Sequence, residues 1–247
     1  MTDNFLTPVV YTMGKVASTS VAGAILEANI PCHDIHSLEP EYLRRTAQEC
    51  LARGAFPPRH ICVSMAHRNR LFIKREKCLY ISLLRDPIER NMSAFFQNLH
   101  LRPNDIRDEN DPQKLFEKFK DAYNHSLPIT WFDREFGAQL GIDVFDHPFD
   151  CEKRYVHIQS ENVILFRVDC PDEVKGRVLS RVLGREIRVQ RQNDSANKGY
   201  ATLYNKVKEK ARFTPDFVDD IYSTKFSNHF WSREELSEMS AIWKESH

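Results

Sequence analysis

The sequence is short of several things at once. It has no excess charge of either sign, since 35 Lys and Arg balance 35 Asp and Glu and the isoelectric point is near 7.1. A general nucleic-acid binder presents a net basic surface, so that class is excluded. The longest apolar run, Leu79 to Leu84, is broken by Ser82 and falls far below the ~20 residues of a membrane-spanning helix. The N-terminus MTDNFLTPVV has no basic segment leading into an apolar one, which predicts no signal peptide. Glycine is scarce, with 8 residues against 12 prolines, and this excludes collagen-like and Gly-rich sequence. The 6 cysteines are scattered and none forms C-x-x-C, so reduced thiols are expected rather than a disulfide frame or a zinc site. No repeat and no linker rich in Pro, Gly or Ser appears, and residues 1–247 read as one domain.

What is present is an ordinary globular composition, 41% hydrophobic and 28% charged. Pro8–Met13 reads as a buried strand, Ser18–Asn29 as a helix with Val21, Ala24, Ile25 and Ala28 on one face, and Ile30–Ile35 as a second strand. Glu39–Arg53 reads as a helix opened by Pro40. Arg59–Met65 and Lys77–Leu84 read as two more strands, the second followed by Asp86-Pro87 and a helix through Gln97. This alternation predicts an α/β fold with a mainly parallel sheet. Leu101–Asp111 reads as a polar surface loop, and Gln113–Tyr123 and Ile129–Leu140 as helices. After strands at Tyr155–Gln159 and Val163–Val168 the chain turns helical, over Glu173–Leu183, Gly199–Arg212, Pro215–Ser223 and Arg233–Lys244, the last capped by Ser232.

Two strand-to-helix junctions carry chemistry. In the first, Thr12-Met13-Gly14-Lys15-Val16-Ala17-Ser18-Thr19-Ser20, a parallel sheet would bind phosphate with loop N–H groups and the positive end of a helix dipole. Lys15 adds a charge and Ser18, Thr19 and Ser20 add hydroxyls, although the same hydroxyls could be a helix-capping cluster. The loop lacks the second Gly of a Walker A sequence. In the second junction, Arg85 ends a strand and Ser93 lies two helical turns on, in Leu84-Arg85-Asp86-Pro87-Ile88-Glu89-Arg90-Asn91-Met92-Ser93.

Together the two segments resemble those that bind 3′-phosphoadenosine 5′-phosphosulfate (PAPS) in the PAPS-dependent sulfotransferases, carbohydrate branch. The resemblance implies a P-loop-like parallel β-sheet flanked by helices, with a helical C-terminal portion. It assigns Gly14, Lys15, Ala17, Ser18, Thr19 and Ser20 to the 5′-phosphosulfate, and Arg85 and Ser93 to the 3′-phosphate. Ala17 stands where that family often has Gly. Lys198, in a late polar loop, would add a basic contact to the 3′-phosphate. The resemblance to uronyl 2-O-sulfotransferases implies that His67, just past the Arg59–Met65 strand, is the base that deprotonates the acceptor, with Lys15 assisting catalysis. His36, closing the second strand, is the rival base, and Glu39 and Glu89 are carboxylate alternatives.

Arg68, Arg70, Lys74 and Arg75 crowd eight positions of a neutral chain. Arg68 and Arg70 would hold an anionic glycan acceptor, or the run is a solvated basic loop. Trp131, Phe132 and Phe136 stand at core-like helical spacing. The later part also looks similar to bacterial capsular polysaccharide sulfotransferases. The expected function is sulfuryl transfer from PAPS to a carbohydrate hydroxyl in the cytoplasm, with no metal. The alternatives are a P-loop nucleotide kinase and a non-catalytic nucleotide- or glycan-binding relative.

Overall fold

Short runs of aliphatic, β-branched and aromatic residues form the strands in a computed structural model that describes residues 6–74, 76–190 and 200–245. In chain order the elements are β1 (Thr7–Tyr11), α1 (Ser18–Glu27), β2 (His33–Ile35), α2 (Pro40–Ala52), α3 (Arg59–Phe72), β3 (Cys78–Leu84), α4 (Pro87–Gln97), α5 (Asn104–Arg107), α6 (Pro112–Ala122) and α7 (Leu127–Phe132). Then come β4 (Tyr155–Ile158), β5 (Val163–Arg167), α8 (Asp172–Leu183), α9 (Ala201–Lys210), α10 (Pro215–Tyr222), α11 (Lys225–Phe230) and α12 (Arg233–Trp243). The fold is α/β, with a five-stranded sheet of order β2-β1-β3-β5-β4. Four strands are parallel and β4 runs antiparallel to β5. The chain divides into two compact units, Met1–Leu84 with Trp131–Asn193, and Arg85–Thr130 with Asp194–His247.

The first unit holds the whole sheet with α1, α2, α3 and α8. Every residue of β3 is buried, as a central parallel strand requires. In register, Val9 of β1 lies between His33 of β2 and Tyr80 of β3. Beyond the strands the Thr12 N–H donates to Ile35 O at 3.1 Å, so Thr12 and His36 leave the sheet side by side.

Two elements differ from the sequence expectation. Arg59–Met65 is the first half of α3, not a strand. Its buried residues, Ile61, Ser64 and His67, recur every third position, which is helical spacing. Pro58, at φ −54° and ψ 147°, is the extended residue from which the helix starts. The Ile129–Leu140 helix is also altered, since α7 passes into a π-helical stretch at Asp133–Leu140.

The second unit is helical, comprising α4, α5, α6 and α9 to α12. Its core is aromatic, with Phe95 and Phe119 rings 5.2 Å apart and Phe116 and Phe213 rings 5.0 Å apart. Ser232 caps α12 in a reciprocal capping box with Glu235. The polar Leu101–Asp111 segment carries the short α5, pinned by the buried Ile106.

Candidate functional site

The β1–α1 loop is built from residues in the left-handed region, Gly14 at φ 72°, Lys15 at 65° and Ala17 at 61°. Such a conformation costs about 1–2 kcal/mol at a non-glycine residue, so two non-glycine residues hold it against strain. Strain of this kind collects at functional sites, and successive N–H groups turned by left-handed residues make anion-binding concavities. Ala17 is the N-cap of α1 and offers no side-chain acceptor, and the first turn of the helix has no acid. Ser18, Thr19 and Ser20 are therefore helical residues and not the cap, which removes the capping-cluster alternative. Ser18 and Ser20 are buried and Thr19 is exposed.

Beside this loop the end of β2 carries Asp34 and His36. Ser18 Oγ donates to Asp34 Oδ2 at 3.5 Å. Burial pushes the Asp34 carboxyl up to about 6, against the opposing hydrogen bond from Ser18 and the charge of His60. His36 Nδ1 lies 3.1 Å from Thr12 O. A carbonyl only accepts, so Nδ1 carries the proton. That ring faces Gly14 closely enough that a Cβ added there would lie 3.9 Å from Nε2. His60, in the first turn of α3, sets its ring 5.7 Å from His36.

The backbone after His36 is clamped from three sides. Trp131 Nε1 donates to His36 O at 3.2 Å, and the buried Glu135 accepts from Leu38 N at 2.7 Å and Ser37 Oγ at 2.6 Å. The Tyr11 hydroxyl also donates to Glu135, and Arg68 Nη1 donates to Leu38 O at 2.8 Å. Burial holds the Glu135 carboxyl above its ordinary range. The sequence reasoning missed Glu135. Its signal was its place four residues after Trp131, on the same helical face as an aromatic core residue.

His67 does not sit past a strand at the sheet edge. It lies in the middle of α3, 2% exposed, with its ring 5.7 Å from His33 and 6.2 Å from Tyr80. His33 and Tyr80 flank Val9 in the body of the sheet, so His67 packs on the sheet's face. Burial first, then the charges of His33 and Arg70, lower its pKa to about 4. Its Nε2 is buried without a hydrogen-bond partner. Arg68 and Arg70 of the basic run also lie in α3. Arg68 also donates to Gln139 Oε1 at 3.2 Å, and Arg70 grips Glu76 with two bonds of 2.8 Å while reaching His33 Nε2 at 3.0 Å. Both guanidinium groups are directed at the protein's own acceptors, and Arg75 lies outside the described residues.

Arg85 and Ser93 belong to the second unit. Asp86 caps α4, accepting from Glu89 N at 2.9 Å and from the Tyr222 hydroxyl at 2.7 Å. Arg85 Nε donates to Glu89 Oε2 at 3.1 Å, and Lys208 also pairs with Glu89. Glu89, in the first turn of α4, thus pairs with Arg85 and Lys208. Ser93, one turn beyond Glu89, is half-buried on the same face. Lys198 lies outside the described residues. Among those residues no group of three His, Cys, Asp or Glu side chains is arranged to hold a metal ion.

A family model, NKWYS, described as "putative capsular polysaccharide synthesis protein", matches residues 106–232, just over half of the chain. The chain belongs to that family. No curated protein and no solved structure matches the chain. The matched part of this capsular polysaccharide family includes Trp131 and Glu135, which clamp the backbone around His36, and stops short of the β1–α1 loop, both candidate histidines and Arg85. No helix among the described residues is long and apolar enough to cross a membrane.

Proposed function

We propose that this protein is a PAPS-dependent sulfotransferase acting on a hydroxyl of a capsular or related glycan, with a P-loop-like β1–α1 loop. One observation carries the reading. Three left-handed residues in four positions, Gly14, Lys15 and Ala17, form the turn that enters an α1 with neither a side-chain cap nor an acid in its first turn. That set suits a dianionic group and would hold the phosphosulfate with the Ser18–Ser20 hydroxyls. When bound, PAPS supplies the sulfuryl group and a phosphate leaving group. Lys15 and the loop N–H groups stabilise the charge that grows on the leaving oxygen. Arg85 and Ser93 keep their 3′-phosphate assignment on the sequence resemblance.

The base in this reading is His36 rather than His67. His36 Nδ1 is held against Thr12 O, and the ring borders Gly14 of the anion loop, with Nε2 on the side of that glycine. It takes the acceptor hydroxyl's proton as that oxygen attacks sulfur. His67 is shut in against the sheet. The family match supports a polysaccharide acceptor. The reaction would run in the cytoplasm, where PAPS is made.

The test is calorimetry with 3′-phosphoadenosine 5′-phosphate against ATP–Mg²⁺. The first binds and the second does not, and Lys15→Ala weakens the first by roughly 10- to 100-fold, the worth of a charge-assisted contact. Tight ATP–Mg²⁺ binding instead would make the chain a nucleotide kinase.

A further inference from the structure

The outward face of α3 breaks the usual rule for a surface helix. Cys62, Met65, Ala66, Asn69 and Phe72 are all exposed, as is Ile73 at the C-cap, and their three- and four-residue spacing places them on one stripe with Asn69 the single polar member. Among the described residues nine large hydrophobic side chains are exposed, and five of them, Leu51, Phe56, Met65, Phe72 and Ile73, fall within 23 residues. Phe56, in the loop entering α3, is 89% exposed and Ile73 is 76% exposed. Scattered exposed apolar residues need no account, whereas a concentration of them marks an interaction surface. The same stretch is strongly basic. Between Leu51 and Lys77 there are 7 Lys and Arg against one acid, Glu76, in a chain whose net charge is zero. Arg68 and Arg70 bond the protein's own acceptors, Arg68 also stacking 4.4 Å over the Phe72 ring, while Arg53, Arg59, Lys74 and Lys77 are exposed.

We propose that this face docks on an anionic lipid bilayer, with Phe56, Met65, Phe72 and Ile73 entering the headgroup boundary and the exposed cations pairing with lipid phosphates. An apolar stripe flanked by Lys and Arg is the pattern of a helix lying in the membrane interface. A second copy of this chain is a poor occupant, because it would bring two stretches of the same positive charge together. The proposal is independent of the sulfotransferase reading.

Vesicle co-sedimentation of the full chain tests it, using phosphatidylcholine alone against an equal mixture with phosphatidylglycerol. Binding is expected to the anionic vesicles and to fall away near 1 M salt, where the screening length is ~3 Å. Lys74→Glu should lower the partition coefficient by about fivefold or more. Phe56→Ser with Ile73→Ser should lower it by more than about tenfold. All three positions are exposed, so the variants should keep the wild-type melting temperature. Equal binding to both vesicle types, no binding to either, or unchanged partition of the serine variant would each overturn the proposal. A dimer in light scattering that the serine variant abolishes would overturn it in favour of self-association.

Discussion

Helix α3 meets β2 twice, and the two meetings differ in nearly everything except geometry. At the lower one, His67 faces His33 with ring centres 5.7 Å apart and planes at 46°. At the upper one, His60 faces His36 at 5.7 Å and 45°. Seven residues of helix and three of strand both advance about 10 Å, which is why the contact repeats. The lower pair lies over the body of the sheet, where burial and Arg70 drive His67 to the neutral form. The upper pair lies beside the left-handed loop, with His36 half-exposed and its tautomer set by Thr12 O. One residue type in one contact geometry thus becomes core at one end and a candidate base at the other. Position relative to the strand's end decides which.

The largest expected effect separates the two ends directly. His36→Ala should lower sulfuryl transfer by roughly 10²- to 10⁴-fold, the range for a lost general base, while affinity for 3′-phosphoadenosine 5′-phosphate stays within about threefold. His67→Leu should leave turnover close to wild type. The opposite pattern in steady-state rates would return the base to His67 and dissolve the contrast.

Next comes stability. His67 has a folded-state pKa of about 4, below its unfolded value, so its contribution is present above pH ~6.5 and is lost as pH falls through about 4. The wild type should lose roughly 3 kcal/mol from this group between those limits. His67→Leu should lose less over the same window and stay as stable as wild type at pH 7, because a buried, unpartnered Nε2 is removed with the ring. Urea unfolding at pH 7, 5.5 and 4 measures the difference, and equal slopes for both proteins would mean His67 is not desolvated.

What could be read in advance divides along the same line. The strand ends were legible because alternation of apolar runs with helical patterns marks where β1, β2 and β3 stop, and the Lys15 and Arg85 segments stand at two such stops. The nature of residues 59–65 was not, because RHICVSM is a short apolar run that fits a strand or a helix equally until its flanks are known. That single misreading carried His67 to the sheet edge and turned the basic run into a loop. The backbone clamp made by Glu135 and Trp131 escaped for another reason. Their role is to bind the backbone of residues 36–38 nearly a hundred positions away, and no local pattern encodes that pairing.

The smallest expected effect probes the upper end alone. Asp34 has a folded pKa of about 6, raised by burial. Its contribution to stability is therefore full below pH ~3.9 and is lost as pH rises through about 6, since the unfolded chain gives up the proton more readily. Asp34→Asn should remove that slope and leave the variant about 2 kcal/mol more stable than wild type at pH 8, with little difference at pH 4. The same substitution bears on the anion loop, because Ser18 at the start of α1 bonds this carboxyl. As Asp34 ionises it places a negative charge beside the proposed phosphosulfate contacts. Affinity of the wild type for 3′-phosphoadenosine 5′-phosphate should then fall between pH 5.5 and 7.5, and that of Asp34→Asn should fall less. Parallel pH dependence in calorimetry of the two proteins would separate Asp34 from the anion loop and reduce the upper end to His36 and the backbone that holds it.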